Sequence, residues 1–355
     1  MNRSPAVTAL LDLPAVAGQS TLRAALMALN VPPVVLPTES RGRSRALEGL
    51  AANPNAVAFI DVSRRPAPGA CTLLELDASV PRDATRARIF LTRLAGGHVS
   101  PGDRRWVRAL GFADLLMDFD TNDCEGQLRN ATDGAARVLA LTPLPKAELA
   151  RYARAMNSDP DTQSPRAIIR ALAGSSAEDF AALLHRSLTI VDRTYRLKTY
   201  PKCFVGSEAA SWIARNLKRS NTDAVLLGQA LTALGLLVHV VQEQPFQDAN
   251  FFYRLAWSPA VDELHLGALF EALRGGGGVS IGDRLYLGKT YPRCWVGSEA
   301  VSWLGERHAL SRTDAWLVLH RLMQFGLIDH VTNERPMIDG AFFYRFTSVA
   351  PARGS

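Results

Sequence analysis

Three side chains in the first hundred residues have the types and spacing of a strand-end site. Asp12, Asp61 and Thr92 each stand at the end of a short apolar run, with Asp61 and Thr92 31 positions apart. In sheets of strand alternating with helix, active groups sit beyond the carboxyl ends of strands. Other chemistry-bearing residues are scattered. Seven histidines and the cysteines Cys71, Cys124, Cys203 and Cys294 show no Cys-x-x-Cys or Cys/His spacing, so they read as reduced packing thiols, with no zinc site or disulfide frame. No Gly-x-Gly-x-x-Gly or P-loop pattern is present. No catalytic residue, metal or cofactor is implied, and the chain reads as a non-enzyme.

The second set of candidates is cationic and lies in an internal repeat. Asp192 to Trp212 returns at Asp283 to Trp303, and the offset of 91 residues persists to Tyr253-Arg254 and Tyr344-Arg345. One folding unit is therefore used twice. In the first copy Arg193, Arg196, Lys198 and Lys202 cluster on an extended arm near Lys218 and Arg219; the second keeps Arg284, Lys289 and Arg293. Each such charge near an anionic surface contributes on the order of 1 kcal/mol, which gives weak, salt-sensitive adhesion. The first copy carries more charge on its arm, so it is the expected docking copy.

Elements that position these residues follow from periodicity. Apolar runs at 7–11, 33–36, 56–60, 87–91 and 113–117 alternate with helical spacing at 20–29, 44–52 and 101–110, the last opened by Ser100 and Pro101. Strand alternating with helix predicts a doubly wound, five-stranded parallel sheet over residues 1–142. A last helix spans 122–141, and two short helices form a connector over 143–175. Each repeat reads as three helices and a β-hairpin, a winged helix, over 176–257 and 262–348. In the second copy Gly275-Gly276-Gly277-Gly278 is expected to end the first helix early and loosen the next loop. Trp212 and Trp303 are expected in the cores, and His239 and His330 as packed or capping residues of the wing.

The N-terminal order resembles the receiver domain of two-component response regulators. Phe59-Ile60-Asp61-Val62-Ser63, Thr92 and Gly111 to Phe119 carry the likeness, which implies Asp61 as phospho-acceptor, Thr92 as switch residue and Asp12 as a metal-side carboxylate. Asp118 and Phe119 replace the lysine and proline of that family, and Leu13 replaces the second acid. An anion in place of the cation makes the site repulsive, so Asp61 is expected to be a relic or a satisfied strand-end carboxylate. The repeat resembles the DEP domain (Dishevelled, Egl-10, Pleckstrin) through Lys198 to Phe204, Val205-Gly206-Ser207-Glu208 with Trp212, Gly235 to Val240, and Phe246-x-Asp248 before Phe252-Tyr253-Arg254. That likeness implies docking to a protein partner or an anionic phospholipid surface.

With 47% hydrophobic and 21% charged residues and a formal charge of +6, the composition is that of a globular protein without a polybasic block. The N-terminus makes a poor signal peptide. The expected protein is cytoplasmic, peripheral at the inner membrane surface, with its oligomeric state open and a homodimer through the receiver-like domain among the options. Two further readings compete with the adaptor: a phosphorylation-gated response regulator using Asp61, and a winged-helix DNA-binding regulator. The third helix opposes the second, because 222–234 contains no basic residue and its repeat has only Arg312 and Arg321.

Overall fold

The computed structural model describes residues 7–13, 17–36, 40–62, 72–93, 98–117, 124–157, 165–195, 198–240, 245–332 and 335–347. In chain order the elements begin with β1 (Thr8–Asp12), α1 (Ala17–Ala28), β2 (Pro33–Val35), α2 (Ser40–Ala52), β3 (Ala56–Asp61) and α3 (Leu73–Ser79). They continue with β4 (Ile89–Arg93), α4 (Pro101–Ala109), β5 (Asp114–Met117), α5 (Cys124–Val138), α6 (Lys146–Asn157) and α7 (Pro165–Ala173). The first repeat comprises α8 (Ala177–Ser187), β6 (Val191–Tyr195), β7 (Lys198–Val205), α9 (Gly206–Leu217), α10 (Asn221–Ala233), β8 (Leu237–His239) and β9 (Phe252–Leu255). The second comprises α11 (Pro259–Asp262), α12 (Leu266–Arg274), β10 (Gly282–Tyr286), β11 (Lys289–Val296), α13 (Gly297–His308), α14 (Arg312–Gln324), β12 (Ile328–His330) and β13 (Phe343–Phe346).

Strands β1 to β5 form one parallel sheet in the order β2-β1-β3-β4-β5. The central strands are unbroken apolar runs because both of their faces are covered; β3 is buried at every position but Asp61. Leu11, Val57, Phe59, Phe90 and Leu116 pack with Leu22 and Leu26 of α1 and Leu128 and Ala131 of α5. Strand β4 starts two residues later than the apolar pattern suggests and carries Thr92 as its penultimate residue. Helix α4 begins as its sequence predicts, with Ser100 and Asp103 in a capping box and Pro101 at the first helical position. Helix α3 is absent from the sequence reading, although Thr72 and Glu75 form the same box at its start.

The two connector helices do not make a body of their own. Leu149 of α6 joins the sheet's core with Tyr152 and Ala153 against it, and Ile169 of α7 is buried with Phe180 and Leu227 in the core of the first repeat. Amphipathic spacing shows that such a helix has an apolar face, but not which neighbour covers it.

Both repeats fold alike, with sheets ordered β6-β7-β9-β8 and β10-β11-β13-β12. The duplication extends to individual bonds. The Tyr253 hydroxyl donates to Pro245 O at 2.8 Å and accepts from Gln247 N at 3.1 Å; Tyr344 does the same with Pro336 O and Ile338 N, both at 2.8 Å. Cys203 and Cys294 are buried free thiols, each donating to a tyrosine carbonyl at 3.3 Å. Burial pushes both thiols above their ordinary range, which suits packing and opposes reactivity.

Two expectations for the second copy change. Helix α12 is shorter than α8 (9 residues against 11), as the glycines require, but the tetraglycine is not loose. Gly278 N donates to Gly275 O, Val279 N to Leu273 O, and the Trp303 indole to Gly277 O at 2.9 Å. Trp303 is therefore only half-buried, with its polar nitrogen spent on closing this turn, and Trp212 is likewise half-buried at the edge of its core. His239 and His330 are buried in the wings as expected, each edge-on to the module's tyrosine.

By packing, the chain divides into two compact units. One holds Met1–Asp61, Arg82–Val99 and Gly111–Trp257, and the other Val62–Pro81, Ser100–Leu110 and Ser258–Ser355. The division is not linear along the chain: α3 and α4 group with the second repeat.

Candidate docking surface

Each repeat presents a two-stranded arm that lies largely outside its core. In β6 and β10 every residue is exposed or half-buried. An arm this open needs local anchors, and both copies use the same two. The Asp192 carboxylate accepts from Lys202 N at 3.0 Å and the Asp283 carboxylate from Arg293 N at 2.9 Å. Lys202 and Arg293 sit in the left-handed region (φ 47° and 48°), beside register shifts at Val191/Arg193 and Gly282/Arg284. This bulge increases the local twist of the arm. The second anchor is ionic: Arg193 pairs with Glu208 at 2.6 Å and Arg284 with Glu299 at 3.0 Å, tying the root of the arm to the first turn of α9 or α13. Carboxylates are also favoured at that end of a helix.

These contacts divide the candidate cations. Arg193 and Arg284 are structural cations, each compensated by a carboxylate of its own module. Arg219 is exposed but also engaged, donating to the carbonyls of Leu172 and Ala171 at the end of α7. It satisfies orphan helix acceptors, a role that spacing cannot show. Lys202, Lys218, Lys289 and Arg293 are exposed. Lys218 ends α9 in the left-handed region, and the Lys289 amine lies 5.2 Å from the Tyr291 ring. Arg196 lies outside the described residues; Lys198 is placed by its backbone at the start of β7.

At the arm tip of the second copy three consecutive apolar residues face solvent. Leu285, Tyr286 and Leu287 are 72%, 59% and 87% exposed, more than any other large hydrophobic residue among those described.

The third helices offer few cations to a nucleic acid: 222–234 carries no basic residue, and both arginines of the second copy are engaged within the chain. Arg312 is bound to Asp339 by two short bonds, 2.6 and 2.7 Å. Arg321 is 4% exposed and lies between Asp103 and Asp262. Positions Ala315 through Met323 are all buried. Neither arginine can reach a phosphate or a base edge without breaking an internal pair.

The strand-end residues do come together. Asp61 and Thr92 face each other in the β3–β4 register, and the Thr92 hydroxyl, fully buried, donates to the Asp61 carboxylate at 3.0 Å. Asp12 ends the neighbouring β1. Burial raises its carboxyl to about 6, with Arg43 opposing and the charge of Asp61 adding to the rise. Leu13, where the receiver family has its second acid, is 1% exposed in the core. Asp118 and Phe119 lie outside the described residues. Among the described residues no three His, Cys, Asp or Glu side chains group as metal ligands, and no helix is long and apolar enough to cross a membrane.

Two ion clusters were not legible in the sequence. Glu178 accepts from His98 at 3.1 Å and pairs with Arg166 at 2.8 Å, joining the segment before α4 to α7 and α8. Burial opposes ionisation of Glu178, but the His98 hydrogen bond and the Arg166 guanidinium outweigh it and hold the carboxyl at about 2. The other cluster is Asp103–Arg321–Asp262. Neither has a sequence signal, since its members lie far apart in the chain.

A winged helix with an exposed, bulge-pinned arm, present twice, defines a tandem interaction module. Residues 187–255 and 278–346 each match the sequence model described as "Domain found in Dishevelled, Egl-10, and Pleckstrin (DEP)". The chain carries two DEP domains in tandem behind a parallel, receiver-like sheet. It is 31% identical over 177 residues to the phosphatidylinositol 3,4,5-trisphosphate-dependent Rac exchanger 1 protein of Mus musculus, an alignment of 47% of this chain and 11% of that one. It is 39% identical over 71 residues to the vacuolar membrane-associated protein IML1 of Saccharomyces cerevisiae, covering 19% of this chain and 4% of that one. The solved structure of the human pleckstrin DEP domain aligns at 18% identity and a TM-score of 0.20, over 23% of this chain and 99% of the other.

Proposed function

We propose that this protein is a non-catalytic signalling adaptor whose tandem DEP domains dock at an anionic membrane surface. The observation that carries this reading is the pair of arms. Each is held by its own bulge and ion pair, left uncovered, and furnished with exposed cations at Lys202, Lys289 and Arg293, with Lys218 at the end of α9. Structure maintained at an open surface is a presentation surface. Two relatives, one named as phosphatidylinositol 3,4,5-trisphosphate-dependent and one as vacuolar membrane-associated, support the same branch.

The test is sedimentation of the full chain with phosphatidylcholine vesicles, with and without phosphatidylserine. Removing four charges (Arg196→Gln, Lys198→Gln, Lys202→Gln, Lys218→Gln) is expected to weaken binding to the anionic vesicles by on the order of a thousandfold at low salt. Unchanged binding rejects the lipid branch and leaves a protein partner.

The contact of Asp61 with Thr92 supports one second reading, gating by phosphorylation. Our reading expects no Mg²⁺-dependent incorporation from acetyl phosphate, measured by intact mass. Incorporation that disappears in Asp61→Asn would establish the response-regulator alternative.

A further inference from the structure

The arm tips of the two DEP domains differ in kind. At the 91-residue offset, Thr194-Tyr195-Arg196-Leu197-Lys198 corresponds to Leu285-Tyr286-Leu287-Gly288-Lys289, so a polar and a cationic residue of the first tip are both leucine in the second. The second tip is a tight hairpin. Leu285 pairs with Thr290 and Tyr286 with Lys289, and Leu287 and Gly288 form the two-residue turn, both in the left-handed region (φ 48° and 76°).

Such a turn favours Asn, Asp or Gly at its first position, because a branched side chain crowds its own backbone there. Leucine is a poor choice for folding, and at 87% exposure it gains nothing from burial within the chain. Leu285 beside it is 72% exposed, on a strand that closes no core. Residues that oppose local structure without adding to the interior are where function overrides folding. The surroundings suit a particular task. Tyr286 stands edge-on to Phe343 at 6.3 Å, which steadies the tip from behind; exposed Lys289 flanks the tip, and exposed Arg293 lies further down β11, at the bulge.

We infer that the β10–β11 tip is a membrane wedge: Leu285 and Leu287 enter the interfacial layer of an anionic bilayer while Tyr286, Lys289 and Arg293 stay at headgroup level. The occupant is argued from shape and charge. A narrow convex tip needs a partner that closes around it, and a fluid bilayer does so without a complementary pocket. Aromatic and long cationic side chains with an apolar stem and a polar end are the residues that settle at a membrane interface. The flanking cations meet lipid phosphates. This inference rests on the membrane-docking reading and adds a division of labour. The first tip adheres by charge and the second anchors by insertion, which reverses the expectation that the more basic first copy is the principal docking copy.

The experiment compares the full-length protein with Leu285→Thr/Leu287→Asn on vesicles of phosphatidylcholine and phosphatidylserine, at low and high salt. Threonine is the first copy's residue and asparagine suits the turn, so the variant is expected to melt no lower than wild type. Wild-type binding is expected to keep a salt-resistant part, and the variant to lose roughly tenfold or more of it. The four-charge variant is expected to lose only the salt-sensitive part. If the leucine variant binds like wild type, the wedge is overturned while charge-based docking stands. If wild type binds neither vesicle composition, both fall. A photo-crosslinking residue at position 287 separates the occupants: a lipid adduct supports the wedge, and an adduct only to protein, including a second copy of the chain, overturns it.

Discussion

Glu178 and Asp12 show how the same group takes opposite roles according to what surrounds it. The folded pKa of Glu178 is lowered, from 4.5 to about 2, so its contribution is complete above the ordinary value and is lost as pH falls between them. At about 1.4 kcal/mol per pH unit this is worth roughly 3 kcal/mol. Glu178→Gln is expected to cost about 2–3 kcal/mol at neutral pH in denaturant unfolding, since the carboxylate that pairs with buried Arg166 and accepts from His98 is removed. Asp12 runs the other way. Its folded pKa is raised from 3.8 to about 6, so ionising it costs stability, and that cost appears as pH rises through this window. Asp12→Asn is expected to raise stability at pH 7 by about 1–3 kcal/mol and to change nothing at pH 3. Both residues were present in the sequence, but only Asp12 was legible as special, because it closes an apolar strand. Glu178 is one of two acids in the first turn of α8, and nothing local distinguishes it from Asp179.

The arm, the third helix and the tetraglycine turn show the same limit for elements. Each was placed by local pattern, and each took its role from what it packs against. The turn gives a paired test. A Cβ at Gly278 would lie 2.0 Å from Leu273 O, whereas one at Gly276 meets nothing within 4 Å. Gly278→Ala is expected to destabilise the protein by about 2–3 kcal/mol, and Gly276→Ala to leave it unchanged or slightly stabilised through its smaller unfolded-state entropy, read as melting shifts of opposite sign or of very different size. The repeat itself predicted the hydrogen bonds of this region poorly. Trp212 and Trp303 occupy equivalent positions, yet only the second faces a glycine turn and donates its indole to it.

For the whole molecule, the group Asp103–Arg321–Asp262 decides how one part of the chain is held. Asp103 caps α4 through Ser100 and also pairs with Arg321, a contact between residues 218 positions apart. Arg321→Met is expected to cost about 3–5 kcal/mol, because Asp103 is fully buried and Asp262 partly so. Adding Asp103→Asn, which keeps the cap without the charge, is expected to restore part of that loss. A double-mutant cycle by thermal unfolding measures the coupling, and strict additivity would mean that the pair contributes nothing.

The sequence by itself determined the parallel sheet, the duplication at 91 residues, the winged-helix modules and the meeting of Asp12, Asp61 and Thr92, because periodicity, caps and strand ends are local properties of the chain. The tertiary structure alone decided which cations are already engaged. Folding brings a carboxylate or a helix-end carbonyl to each of Arg193, Arg219, Arg284, Arg312 and Arg321, and a charge is satisfied by what lies near it in space. It decided as well that Leu285 and Leu287 remain outside every core, since hydrophobicity shows that a residue favours burial but not whether the fold provides a place for it.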